Sequence, residues 1–402
     1  MQAVEGGATD VRAQAGHVLE LVRGLRGEML DLLQRMVLIE SPTDRPETQA
    51  PVLALFEETL QDLGFRTRRV RGRGTGGHLL ALPGHREKGR PPQLLVGHSD
   101  TVWPVDTLEE MPLKLEDGCL FGPGTFDMKA GLVQIVVALR ALRTAGLEPP
   151  ATPVVFVNSD EETGSADSKR YVEMLSRRCC RALILEPSLG AEGRLKTARK
   201  GVGLFDVIIR GKAAHAGLDP GAGASAILEL SHVIQALHEL NEPTRGTTVN
   251  VGVIDGGIRS NVVAPVARAR IDVRVMTNED GRHIEEAIYG LQPTTTGVRL
   301  EVTGSMMIPP LERTARNGRL WEQAKSVGHA LGVELHDTTA GGGSDGNTTS
   351  LFTATLDGLG AVGDGAHAAH EHIDVDATLD RSALLAMLLM SPVDATWRDG
   401  ER

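Results

Sequence analysis

The chain has 402 residues, 41 % hydrophobic and 24 % charged, with 42 basic against 53 acidic side chains and a formal net charge of -11. That length exceeds what one core ordinarily supports, so two domains are expected, and the composition excludes a disordered chain. The acidic balance and 3 % aromatic content exclude a nucleic-acid surface of basic and stacking residues, and no run of about 18 apolar residues offers a membrane span. Three cysteines, Cys119, Cys179 and Cys180, are too few for a disulfide framework. The opening residues lack a basic segment followed by an apolar one, so the expected location is the cytoplasm.

In chain order, Val18, Val22, Leu25, Met29, Leu32, Met36 and Ile39 recur at helical spacing and predict one amphipathic entry helix from His17 to Ile39, closed by Pro42. Three short apolar runs follow: "QLLVGH" at 93 to 98, "PVVFVNSDEE" at 153 to 162 and "ALILEPS" at 182 to 188. Each reads as a strand of a parallel sheet covered on both faces. Between the first two, Leu132, Ile135, Val136, Leu139 and Leu142 share one helix face, with Gly146 and Pro149 as stop signals. This alternation predicts a doubly wound α/β domain with a mainly parallel sheet, whose ligands gather at the carboxyl ends of the strands. After Lys200 the texture changes: residues 204 to 210, 247 to 254 and 267 to 276 alternate apolar with polar positions, interleaved with helical stretches near 223 to 240 and 279 to 291. Residues 200 to 311 therefore read as an inserted α+β domain, leaving a discontinuous catalytic domain of 1 to 199 and 312 to 402. A glycine run, "GGGSDGN", and a final helix near 381 to 390 complete the second part.

The strand-end residues form a constellation. It comprises His98 and Asp100 in "GHSDTV", Asp127 in "GPGTFDMKAG", Glu161 and Glu162 in "DEETGS", and Glu186 in "LEPS". A late "GAHAAHEH" adds His367, His370 and His372. Adjacent carboxylates repel unless a positive charge sits among them. Carboxylates and imidazoles brought to one crevice suit divalent cations, with Zn²⁺ favoured by nitrogen ligands and Mn²⁺ or Co²⁺ able to use the same set. Taken singly, each residue has a plainer reading: a solvated turn for Glu161 and Glu162, a satisfied core histidine for His98, a helix-dipole partner for Asp127 and a turn cap for Glu186.

Those stretches, together with "GKAAHAG", "RSNVVAP…IDVR" and "GGGSDGN", resemble, in order and across nearly the whole chain, the motifs of the dinuclear zinc exopeptidase family of glutamate carboxypeptidases, aminoacylases and dipeptidases. The resemblance implies two zinc ions, one held by His98 and Glu186, the other by Glu162 and His367, with Asp127 bridging. His367 is preferred over its neighbours because the family often places its histidine four residues before a glutamate, here Glu371. The resemblance further implies that Asp100 orients the His98 imidazole and that Glu161, unligated, is the general base passing a proton from the attacking water to the departing amine. An extended backbone at 161 to 162 would point the two glutamates to opposite faces.

From the inserted domain, His215 matches the histidine that polarises the scissile carbonyl across a homodimer. Asn261 and Arg274 match binders of the substrate carbonyl and carboxylate, although an ion pair within a strand also explains Arg274. The glycine run, with Gly342, Gly343 and Ser344, would let backbone amides approach that carboxylate, and a plain loop is its other reading. One departure stands out: Ile308 precedes Pro309 where the glutamate-releasing branch usually carries arginine, which favours neutral leaving residues. The implied function is amide hydrolysis releasing an amino acid from a small N-acyl amino acid or peptide, with the insert as lid and dimerisation domain hinged near Lys200 and Leu311. A carbamoyl-amino acid hydrolase or amidase of the same family is the alternative, followed by a non-catalytic metal-dependent binding protein.

Overall fold

The apolar run ending in His98 is the pivot of the architecture. In the computed structural model, which describes residues 2 to 393 and side chains from residue 11, Pro92–His98 pairs in parallel with Thr152–Asn158 on one side and Arg181–Ile184 on the other. Ala354–Leu356 extends the parallel part beyond Arg181–Ile184. The antiparallel pair Phe65–Val70 and His78–Pro83 closes the opposite edge of this six-stranded sheet.

Strand periodicity sorts the apolar side chains into two layers. Leu95, Val155, Val157 and Leu183 join the larger core with the helices Ala130–Thr144 and Val375–Met390. Leu94, Val96, Val154, Phe156, Ala182 and Ile184 face the other way and pack with Val172 and Leu175 of Lys169–Ser176. Helices on both faces explain why these strands are apolar at every position, and the fold class is the α/β one expected. The helix Ala130–Thr144 is buried nearly all round, beyond the single face its spacing suggests. Gly131 makes this possible, because a Cβ there would lie 2.1 Å from the Leu185 carbonyl oxygen.

The entry helix differs from expectation. It is two helices, Gln2–Gly24 and Arg26–Val37, separated at Leu25 with φ -87° and ψ 7°. Gly24 and Gly27 flank the break, and glycine costs a helix interior about 1 kcal/mol relative to alanine. The buried stripe of Val18, Val22, Met29, Leu32 and Met36 still runs through it.

The chain divides into two compact units: residues up to Thr197, Arg313–Thr339 and from Ser344 onward form the first, and Ala198–Glu312 with Ala340–Gly343 form the second. The second unit is an antiparallel sheet in the order Thr248–Gly256, Val266–Val275, Gly201–Arg210, Arg299–Ile308. Helices Ala226–Glu239 and Asn278–Tyr289 bury Leu230, Val233, Leu237, Ile284 and Ile288 against its Phe205, Val207, Ile271 and Val273. Arg299–Ile308 is not among the strands that periodicity suggested, since its polar residues and Gly304 at φ 113° blur the alternation.

Candidate metal centre

The parallel strands deliver their end residues to one edge of the sheet, as the topology requires. His98 ends Pro92–His98, Glu186 lies two residues past Arg181–Ile184, and Glu161 and Glu162 follow Thr152–Asn158. Glu161–Thr163 is a 3₁₀ turn and not an extended segment, so the opposed-face picture of the two glutamates is replaced by one in which a tight turn presents them. Asp127 precedes the buried helix, and His367 lies on the loop before His372–Asp374 with φ 60°.

Asp127 stands between two imidazoles. Its Oδ1 is 3.2 Å from His98 Nε2 and its Oδ2 is 3.4 Å from His367 Nε2. Each histidine also meets a glutamate of its own: Glu186 Oε1 is 3.5 Å from His98 Nε2, and Glu162 Oε2 is 3.3 Å from His367 Nε2. Ligand atoms of His98, Asp127 and Glu162 all lie within 4.8 Å of one another, and so do those of His98, Glu161 and Glu186. His370 and His372 are turned to other partners, Asp364 at 4.0 Å and the His370 carbonyl at 2.9 Å respectively.

The surrounding groups fix the donor atoms. His98 Nδ1 is 2.9 Å from the Asp100 carbonyl oxygen, which can only accept, so Nδ1 is a donor there and Nε2 is the nitrogen that faces the carboxylates. The Asp100 carboxylate accepts from the Thr43 hydroxyl at 2.8 Å and from the backbone N–H of Glu162 at 3.2 Å and of Glu161 at 3.4 Å. Thus Asp100 orients the histidine and fastens the glutamate turn. Glu371, four residues after His367, holds the Asp127 segment. Its buried carboxylate accepts from Trp103 Nε1 at 2.6 Å, Gly124 N at 2.8 Å, and Phe126 N and Asp127 N at 2.9 Å each. Those donors lie far from Glu371 in sequence, so no local pattern announces them.

The electrostatics call for positive charge. Burial, then repulsion by Glu186, raises the Glu161 carboxyl well above its ordinary range, and burial also raises that of Glu162. Hydrogen bonds to Asp127 and Glu162 push the His367 imidazole up to about 10, while burial of Asp127 is outweighed by bonds from His367 and His98 that hold its carboxyl low. Glu162 Oε1 is buried with no hydrogen-bond partner among the described residues. An acceptor left orphaned in a cluster of acids is costly unless a cation completes it. The nitrogen and oxygen donors gathered around His98, Asp127, Glu162 and Glu186 therefore fit a divalent cation.

The inserted-unit residues are placed as follows. His215 Nδ1 accepts from the backbone N–H of Gly217 and of Leu218, both at 3.1 Å, which leaves the proton on Nε2 and makes that edge a donor. The Asn261 carbonyl accepts from Ala216 N at 3.0 Å, bringing Asn261 beside His215. Arg274 forks onto Asp272 at 2.8 and 2.9 Å along its own strand, the ion pair raised as its other reading. The carbonyls of Gly342 and Gly343 accept from Arg199 at 3.2 and 3.0 Å, and Gly343 lies against Ile308. Ser344 belongs to the first unit and caps the helix Asp345–Thr349, its hydroxyl donating to Asp357 at 2.6 Å.

A cluster of carboxylates and imidazoles at the carboxyl ends of a parallel sheet defines a candidate metal site. Residues 94–391 match the model of Peptidase family M20/M25/M40. The chain is 28 % identical over 377 residues to carboxypeptidase G2 of a Pseudomonas species, covering 90 % of this chain and 88 % of the relative. It is 30 % identical over 273 residues to acetylornithine deacetylase of Myxococcus xanthus, covering 64 % and 69 % respectively. The fold is shared with the aminopeptidase PepT of Bacillus cereus, with a TM-score of 0.77 at 23 % identity over 91 % of this chain and 98 % of that one. The chain belongs to Peptidase family M20/M25/M40 and is a metal-dependent hydrolase of the peptidase type. No helix among the described residues is long and apolar enough to cross a membrane.

Proposed function

We propose that this enzyme hydrolyses an amide bond to release a C-terminal amino acid with a free carboxylate from an N-acyl amino acid or small peptide, using two zinc ions. The observation that carries this reading is Asp127 standing between two imidazoles, each with its own glutamate. Zinc bound there would polarise a carbonyl and lower the pKa of water, and Co²⁺ or Mn²⁺ could substitute. Glu161, a carboxylate within 4.8 Å of the His98 and Glu186 donor atoms, takes the proton of the attacking water and returns it to the departing amine. Asp100 keeps His98 in its ligand tautomer and the Glu161 turn in place. For His215 we assign a hydrogen bond from Nε2–H to the scissile carbonyl oxygen, in keeping with its tautomer. Asn261 and the glycine run would hold the substrate's carbonyl and carboxylate, and Arg274 would do so with the N–H groups that its fork onto Asp272 leaves over.

A homodimer formed through the inserted unit completes the proposal. Thr248–Gly256 is an edge strand whose Val253 and Ile254 are 61 % and 59 % exposed, and Ile227 and Leu228 of the helix Ala226–Glu239 are also exposed. An unpaired apolar edge of that kind is a template for a second copy. A cytoplasmic setting is part of the proposal, and Cys119, Cys179 and Cys180 form no disulfide among the described residues.

The test is Glu161→Gln in zinc-loaded protein, assayed on a panel of acyl, carbamoyl and dipeptide substrates. Zinc content should persist while kcat falls by about 10²- to 10⁴-fold, the usual contribution of a general base. Retention of most activity contradicts the assignment, and preference for carbamoyl substrates moves the enzyme to the alternative class.

A further inference from the structure

Asp345 is a buried acid beside the glutamate loop that the metal cage does not use. Asp345 is the first residue of the helix Asp345–Thr349 and is 4 % exposed. Its Oδ2 accepts from Asn158 Nδ2 at 2.6 Å and its Oδ1 accepts from the Ser165 hydroxyl at 2.8 Å. These partners bracket the segment "NSDEETGS", residues 158 to 165, which carries Glu161 and Glu162. Asn158 is the last residue of the strand Thr152–Asn158, and its carbonyl receives Ser99 N at 2.9 Å beside His98. Ser165 ends the loop in the left-handed region at φ 56°, with its N–H donated to the Asp160 carbonyl at 2.8 Å. Asp160 in turn receives Asp167 N at 2.8 Å and Ser168 N at 3.1 Å, so the loop is closed on itself at the Ser165 end.

We propose that Asp345 is a positioning residue for this hydrolysis: by accepting from Asn158 and Ser165 it clamps both ends of the loop and sets where Glu161 stands against the metal cage. The inference rests on the hydrolase reading above. Asp100 holds the middle of the same loop by the backbone N–H groups of Glu161 and Glu162, so the loop is fixed at three places. A charged side chain is a poor choice for mere scaffolding at this depth. Burial pushes the Asp345 carboxyl up to about 7, against the pull of Ser165, and nearby Asp160 adds to the rise. An acid kept where its charge is disfavoured is characteristic of functional sites.

Asparagine offers a discriminating variant, because its oxygen can accept from Asn158 while its amide donates to the Ser165 hydroxyl. With zinc-loaded protein, Asp345→Ala should lower kcat by about 10- to 100-fold, the usual cost of losing an outer hydrogen-bond partner, with KM changed less than about threefold and zinc content kept. Asp345→Asn should recover kcat to within about threefold of the parent. Hydrogen exchange over 160 to 165, read by mass spectrometry, should be faster in Asp345→Ala and parent-like in Asp345→Asn. Should the alanine variant fail to fold, Ser165→Ala cuts one of the two links and must show the same faster exchange and a smaller fall in kcat. Unchanged exchange and kcat in Asp345→Ala overturns the clamp, as does an asparagine variant no better than alanine, or zinc lost in step with activity. If the parent protein cleaves nothing in the panel, the hydrolase reading fails on its own, and the exchange comparison still decides the clamp.

Discussion

Replacing Glu371 by glutamine tests whether a carboxylate remote from the cations holds the bridging residue in place. Four N–H groups converge on it at 2.6 to 2.9 Å, two to each oxygen. A glutamine presents only one oxygen, so in either orientation its amide faces a pair of donors with nothing to accept them. Hydrogen bonds to charged groups contribute about 1.5–3 kcal/mol each, so Glu371→Gln should cost roughly 3–6 kcal/mol when two are lost in a buried setting. The freed donors include Asp127 N or Trp103 Nε1, depending on the flip, and loosening the Asp127 backbone should weaken zinc binding by about 10- to 100-fold. Urea unfolding of the metal-free protein reads the first effect, and competition with a zinc chelator reads the second. A stability loss under about 1 kcal/mol together with unchanged zinc affinity would refute the argument.

Three further outcomes are expected. Glu229, buried in the inserted unit, accepts from Thr295 N at 2.6 Å, Thr294 N at 3.0 Å and the Thr294 hydroxyl at 3.1 Å, and these bonds outweigh burial to hold its carboxyl below the ordinary 4.5. A depressed folded-state pKa stabilises the fold above the unfolded value and is lost as pH falls through the folded one. Glu229→Gln should therefore lower Tm near pH 7, with a loss of about 2 kcal/mol, and the gap from the parent should narrow below about pH 4.5; a gap independent of pH contradicts this. Ile308→Arg should raise kcat/KM for acidic relative to neutral leaving residues by about tenfold, one charge-assisted contact, and no shift removes the specificity argument from that position. Replacing both Val253 and Ile254 with lysine should shift the particle mass from dimer to monomer in light scattering while zinc content stays; a monomeric parent contradicts the dimer.

What was legible in the sequence is what local chemistry encodes. An apolar run ending in a histidine or carboxylate marks the carboxyl end of a parallel strand, which is why His98, Glu161, Glu162 and Glu186 arrive together on one sheet edge. What was not legible depends on partners far away in the chain. The break at Leu25 leaves the apolar stripe intact and so does not disturb the periodicity. Glu371 draws its donors from residues 103 and 124 to 127, and Asp345 draws its own from 158 and 165, pairings that no spacing rule announces. The "GGGSDGN" run reads as one motif, yet Gly341, Gly342 and Gly343 cluster with the second unit while Ser344, Asp345 and Gly346 cluster with the first.

The most direct measurement is anomalous diffraction at the zinc edge from crystals of zinc-loaded protein. Two peaks are expected, one at His98 and Glu186, the other at His367 and Glu162, with Asp127 contacting both. Absence of peaks there, or a single ion held by other residues, contradicts this arrangement.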